Sequence, residues 1–306
     1  MNNKKVSLKV DLGSLSLKNP VMPASGTFDI RCTLLNKKEL NRLGAILPKS
    51  IAFQEREGNP GPRICETDCG LLNAVGVPSK GVEYFIKEEL PLLKKANNTI
   101  IVSLMGNSIS DFCNLAEYLN ENKEISAFEI NLSCPNLNND IIFGVNQDKL
   151  SELIFNIKKN TSKPIIAKLS PNVSDIKEMA LTAKNAGAQI ITVANTLMGM
   201  AIDIDKQVFR LGNTMGGLSG PAIRPIVVRM IWEIAQSVDI PIIGVGGVYC
   251  AENAIEMLLA GASAVQIGSA NFFNPYVMLE VIEGIEEYLI KKRYNSIQDI
   301  IGLMKN

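Results

Sequence analysis

Eight short apolar runs, most of them rich in β-branched residues, recur along the chain. They are "PVMPAS" (20–25), "GAILPKS" (44–50), "TIIVSLM" (99–105), "SAFEINLS" (126–133), "PIIAKLS" (164–170), "QIITVANT" (189–196), "PIIGVGG" (241–247) and "SAVQIGS" (263–269). The runs are nearly continuous rather than alternating, which is the pattern of strands buried on both faces. Between them lie stretches with apolar residues three and four apart, such as "DIKEMALTAKNAG" (175–187), "RPIVVRMIWEIAQSV" (224–238) and "AENAIEMLLAG" (251–261). These predict amphipathic helices ended by glycine or a polar break. Eight strand–helix units predict an α/β fold, a (β/α)8 TIM barrel, with a doubly wound open sheet as the alternative. The segments "NAGAQIITVANT" and "LAGASAVQIGSA" repeat one helix-end, Gly-Ala and strand layout, which favours the barrel.

Two features fall outside the eight units. "VSLKVDL" and "SLSLK" flank Gly13-Ser14 and predict an N-terminal β-hairpin that closes one mouth of the barrel. The stretch 51–80, rich in Gly, Pro and Asn, is too long for a plain connection and is expected to be an active-site loop insertion. No shift of composition marks a boundary, so residues 1–306 are expected to form one domain.

Acidic and basic side chains number 31 each, so nothing predicts a nucleic-acid or anionic-membrane surface. The lysine pairs at 37–38, 94–95, 158–159 and 291–292 fit solvated helix faces. No apolar run reaches membrane-span length, and the first residues lack the core and cleavage site of a secretion signal. The six cysteines are scattered, which suits a reducing cytoplasm. Histidine is absent altogether, which rules out a Ser-His-Asp triad, a Cys-His pair and an imidazole zinc site, and no metal is expected.

In such barrels chemistry sits at the C-terminal ends of the strands. Those ends carry Ser25, Lys49-Ser50, Asn131, Lys168, Asn195-Thr196, Gly246-Gly247 and Gly268-Ser269. An inward lysine at a strand end is costly without an anion or an electron-rich ring beside it, so Lys49 and Lys168 predict such a ligand. "GVGG", "IGS" and the Gly-rich turn "GGLSGPAI" (216–223) either make tight turns or let backbone N–H groups approach a phosphate; three together favour the phosphate. Cys134, in "NLSCPN" (131–136), lies on a polar loop, unlike Cys32, Cys113 and Cys250, which read as structural. A thiol can serve either as a small buried hydrophobe or as a proton acceptor for an acidic carbon. Cys65 and Cys69 have the wrong spacing for a zinc knuckle.

"NPVMPASGTF" (19–28), "REGNPGPR" (56–63), "GLLNAVGV" (70–77), "NLSCPN", "AKLSPNVSDI" (167–176), "ANTLMGMAID" (194–203), "GGLSGPAI", "GVGG" (244–247) and "VQIGSA" (265–270) together resemble, in order, the class 1 dihydroorotate dehydrogenases. The resemblance implies a flavin mononucleotide (FMN) barrel that oxidises dihydroorotate to orotate in pyrimidine synthesis. It implies that Cys134 removes the C5 proton while a hydride passes from C6 to flavin N5. Lys49, Asn73, Ala74, Val75, Gly76, Val77, Asn131, Asn195 and Thr196 would bind the substrate. Lys168 would meet the flavin N1–C2 edge, with Ser25, Lys49, Ser50, Ser103, Asn131 and Ala194 near the ring. Gly220, Gly246, Gly247, Gly268 and Ser269 would hold the phosphate.

"SPNVSDI", "NTLMGMAID" and "GGLSGPAI" are similar to the NAD-linked class 1B. That class implies a homodimer core and a partner subunit with FAD and a [2Fe-2S] cluster, making a heterotetramer. "LPKS", "REGNP" and "GVPSKGVEYF" lean toward the fumarate-reducing class 1A, and the balance favours 1B. Ser103 stands where the NAD-linked type has asparagine, "GTFDIR" is less glycine-rich than usual, and "NLNNDIIFG" lacks the usual Gly-Gly. Alternatives are a dihydropyrimidine dehydrogenase-like flavin subunit and a non-catalytic FMN-binding barrel.

Overall fold

The computed structural model describes residues 6–133 and 143–305. All eight predicted runs lie in one parallel wall. Seven are paired strands, in the order Val21–Pro23, Ala264–Ile267, Ile242–Val245, Ile190–Val193, Ile165–Lys168, Ile125–Asn131 and Ile100–Leu104. The eighth run closes the wall. Gly44 N donates to Val21 O at 2.8 Å on one side. On the other, Ile46 N donates to Thr99 O (2.8 Å) and Ile51 N to Ser103 O (2.8 Å), with parallel bridges Ile46–Ile100 and Ile51–Leu104. A doubly wound sheet would leave its outer strands as open edges. Here both are bonded to residues 44–51, so the fold is the (β/α)8 barrel. A side chain at Gly44 would run into the carbonyl oxygen of Asn19, so only glycine lets the seam close.

The strands are buried end to end because helices cover their outer faces. Helix Gln147–Lys159 buries Leu150, Leu153, Ile154 and Ile157, one stripe at helical spacing. The helices predicted over 175–187, 224–238 and 251–261 span Ile176–Asn185, Arg224–Ala235 and Ala251–Ala260. Asp175 caps the first by accepting from the backbone N–H of Lys177 and Glu178, and Ser108 and Asp111 form a capping box on helix Ile109–Asn120. The hairpin forms as Val10–Leu12 and Leu15–Leu17 around Gly13, burying Val10, Leu12, Leu15 and Leu17 and exposing Asp11 and Ser16. None of the described helices is long and apolar enough to cross a membrane.

Two expectations are corrected. The insertion is partly sheet: Ile64–Thr67 and Gly70–Asn73 form a hairpin that continues through Met215–Ser219 to Leu197–Met200, four antiparallel strands. Residues 216–219, expected to be part of a Gly-rich turn, belong to that sheet, and the turn begins only at Gly220. Glycine has little strand preference, so the sequence hides this strand. The glycines are nevertheless required there, since a Cβ at Gly217 would collide with the Thr196 side chain and one at Gly216 with the carbonyl of Asn73.

Phe112 is fully buried and meets the Phe143 ring edge-on, with centroids 6.1 Å apart. Phe112→Ala is expected to lower folding stability by about 3–5 kcal/mol through the cavity left behind, read from the denaturant midpoint. A loss below about 1 kcal/mol would contradict this packing.

Candidate active site

Side chains two residues apart on a strand share a face. Glu129 and Asn131 therefore point the same way, into the barrel, and the register sets Lys168 beside Asn131 and Thr192 beside Lys168. Four polar side chains from four strands meet in the lumen. The Glu129 carboxylate, wholly buried, accepts from Thr192 Oγ1 (3.1 Å) and Gln266 Nε2 (2.6 Å) and pairs with Lys168 Nζ (3.4 Å). Lys168 Nζ also donates to Gln266 Oε1 (3.4 Å). Gln266 reaches Glu129 from a strand that is not its neighbour, so this bond crosses the lumen.

Beside Glu129, whose register partner is Ser103, three hydroxyls form a chain. Ser50 Oγ lies 2.9 Å from Ser25 Oγ and 2.8 Å from Ser103 Oγ, linking three strand ends through the seam. Asn195 Nδ2 donates to Asn131 Oδ1 (3.2 Å), and Thr196 N donates to Asn195 Oδ1 (2.9 Å). Ala194 is held by its N–H donating to Val245 O (3.2 Å). The four-stranded sheet brings Asn73 to the same rim, where its Nδ2 donates to Gly217 O at 3.1 Å. Residues 74–77 follow, anchored by Ala74 N donating to Arg63 O (2.8 Å) and Val75 O accepting from Asn59 N (3.1 Å). Gly76 and Val77 both have positive φ.

Lys49 stands half-exposed at the rim with its Nζ 3.6 Å from Asp29 Oδ2. Asp29 is gripped by Arg31, whose Nε and Nη2 donate at 3.0 and 2.7 Å. Arg31 also contacts Glu89 (3.3 Å) and donates to Tyr84 Oη (2.9 Å). The Arg31 hydrogen bonds hold the Asp29 carboxyl down to about 2, while burial pushes Glu89 up. Two cations and two carboxylates thus share this side of the rim.

On the opposite side, Gly220, Gly246 and Gly247 have φ of +116°, +131° and +80°. A Cβ on Gly247 would press on the Gly220 carbonyl and on Arg224; one on Gly220 would strike Gly70. These glycines are therefore required by close packing around the start of helix Arg224–Ala235. Gly268 borders Ala24 and Thr27 with ordinary spacing, and Ser269 Oγ lies 3.0 Å from Tyr249 Oη.

The C-terminal ends of the barrel strands thus carry Ser25, Lys49, Ser50, Asn131, Lys168, Asn195 and Gly246, with Ser50 linking Ser25 to Ser103 and Asn195 bonded to Asn131. Cys134 lies outside the described residues; Ser133, just before it, is described, and its N–H donates to Asn131 Oδ1 (3.4 Å). Sequence reasoning missed Glu129, Thr192, Gln266, Asp29, Arg31 and Tyr249. The signal for the first was present, since an acidic residue in the apolar run "SAFEINLS" shares the face of Asn131. Among the described residues no group of His, Cys, Asp and Glu is arranged to hold a metal ion.

The dihydroorotate dehydrogenase family model matches residues 7–289. The chain is 43% identical over 302 residues to the dihydroorotate dehydrogenase B (NAD(+)) catalytic subunit of Geotalea daltonii, covering 98% of this chain and 99% of the relative. It is 44% identical over 299 residues to the proteins of that name from Thermodesulfovibrio yellowstonii and Bacteroides fragilis, in each case covering 97% of this chain and 99% of the relative.

Asp29 titrates at about 2 in the folded chain against 3.8 ordinarily. A folded-state value below the unfolded one means that its stabilisation is full above pH 3.8 and is lost as the pH falls towards about 2. Thermal melting of Asp29→Asn against the parent is expected to show a stability deficit that shrinks across that window. A deficit that stays constant with pH would contradict the Asp29–Arg31 pairing.

Proposed function

The chain belongs to the dihydroorotate dehydrogenase family, and on that premise we propose that it is the catalytic subunit of an NAD-linked enzyme oxidising dihydroorotate to orotate in pyrimidine synthesis. The observation that carries this reading is the placing, at the C-terminal end of one barrel, of Lys49, the Asn131–Asn195 pair, Lys168 and the positive-φ glycines Gly246 and Gly247. All of them occur in a chain that resembles those catalytic subunits along nearly its whole length.

These residues fit FMN. Gly220, Gly246 and Gly247, with positive φ beside the start of helix Arg224–Ala235, would present backbone N–H groups to the phosphate, with Gly268 and Ser269 next to them. Ser25, Ser50 and Ser103 supply hydroxyls for the polar edge of a ring, and Lys168 brings a cation from below. FMN, when bound, supplies at N5 the acceptor for the hydride leaving substrate C6. Lys168 would set positive charge at the N1–C2 edge of the bound ring, where electron density accumulates on reduction.

Lys49 is the cation for the substrate carboxylate, which displaces Asp29 from it. Asn73, Asn131 and Asn195 have amides matched to the imide and amide edges of a dihydropyrimidine ring. Residues 74–77, which follow the four-stranded sheet, would wall the substrate in, and Thr196, packed closely against Gly217, would contact it. Cys134 accepts the C5 proton, a role open to a thiol with an ordinary value near 8.5 in a chain without histidine. Electrons continue to NAD⁺ through a separate subunit carrying FAD and a [2Fe-2S] cluster. The assembly is a heterotetramer built on a homodimer of this chain, working in the cytoplasm.

Cys134→Ala is expected to keep its flavin and lose about 10²–10⁴-fold of dihydroorotate oxidation near neutral pH; full turnover would remove the thiol from the mechanism. Lys49→Ala is expected to weaken dihydroorotate binding at least about tenfold while FMN binding changes far less. Equal losses for both ligands would move Lys49 to the flavin. The isolated chain, reduced by dihydroorotate, is expected to stay reduced when offered NAD⁺ or fumarate. Reoxidation by fumarate would make it the 1A type.

A further inference from the structure

Among the described residues the buried charged side chains are Glu129 and Lys168, and the proposed reaction has no direct use for the Glu129 carboxylate. It lies on the lumen side of Lys168, wholly buried, with its Oε2 fixed by Thr192 and Gln266 and its Oε1 facing the ammonium. Lys168 is 8% exposed at its side chain, and two of its three donors go to Glu129 and Gln266. A buried ammonium without a counter-charge is strongly unfavourable. A four-carbon stem left to itself would also take other rotamers. Carboxylate, amide and hydroxyl, drawn from three strands, meet both requirements at once and leave the third N–H for the rim.

We propose that Glu129 is the positioning residue for Lys168, holding its charged amine at one height in the lumen so that the remaining N–H meets the flavin edge. This rests on the reading of Lys168 as a flavin contact. Gln266 and Thr192 are the supports that keep the carboxylate from turning away. Glu129 itself touches neither flavin nor substrate, and its effect is carried entirely through the lysine. A merely structural role would alter melting temperature and leave the flavin's electron affinity where it was.

The test is the midpoint potential of the bound flavin, measured by reductive titration with dithionite and an indicator dye, which needs no dihydroorotate. Glu129→Gln keeps the shape and removes the counter-charge. It is expected to move the midpoint potential by about 30 mV or more, a tenfold change for a two-electron couple, and to raise the FMN dissociation constant of the apoprotein. Lys168→Met is expected to lower the potential, and adding Glu129→Gln to Lys168→Met is expected to move it no further, because the two residues act as one unit. An unchanged potential in Glu129→Gln, or an equal shift when it is made in Lys168→Met, would overturn the proposal. If Glu129→Gln does not fold, Thr192→Val removes one support and leaves the charge in place; a shift that vanishes in Lys168→Met supports the proposal and no change overturns it. A wild-type chain that takes up no flavin overturns this proposal and the proposed function together. One that binds flavin but is not reduced by dihydroorotate overturns the substrate and leaves the potentials to decide on Glu129.

Discussion

Residues 44–51 bond through Gly44 to the first strand of the barrel and through Ile46 and Ile51 to the third, and the site exists because this seam closes. Closure removes the open edges that a seven-stranded sheet would otherwise present. It also brings all the strand ends to one rim. Ser50, at the end of the seam, is what joins Ser25 to Ser103, and Lys49 beside it faces Asp29. The same curvature lets Gln266 reach Glu129 across the lumen, a contact that a flat sheet would not allow. A single glycine, hemmed in by the Asn19 carbonyl, permits the approach.

Charge is balanced locally as well as over the whole chain. In the lumen Lys168 meets Glu129; at the rim Lys49 and Arg31 meet Asp29 and Glu89. The two pairings differ in kind. A buried ion pair adds little net stability, since desolvation offsets attraction, but it fixes geometry. The rim cluster is part-exposed, so its strength is partly screened, and within it Arg31 grips Asp29 while Lys49 makes a longer contact to the same carboxylate.

The barrel was legible in the sequence because buried parallel strands leave unbroken apolar runs, and each of the eight runs falls in the wall. Most of the rim was legible for a related reason, since Lys168, Asn131 and Asn195 end strands where an apolar run gives way to polar side chains. The four-stranded sheet was not. Its pairing joins residues 71–73 to 217–219, a separation that no local pattern records, and its glycines answer to Thr196 and Asn73 rather than to strand preference. Glu129 was overlooked because one acidic residue in an apolar run reads as an exception until its partners Thr192 and Gln266, on other strands, are placed beside it. Asp29 and Arg31 lie in the segment "GTFDIR", where the chain departs from the family pattern, so resemblance gave no guide to them.

The most direct test is anaerobic addition of dihydroorotate to the purified chain while the visible flavin absorbance is followed. The proposed function requires a yellow protein that bleaches on addition, with one equivalent of orotate formed per flavin. A chain that takes up FMN and stays oxidised under saturating dihydroorotate would contradict it.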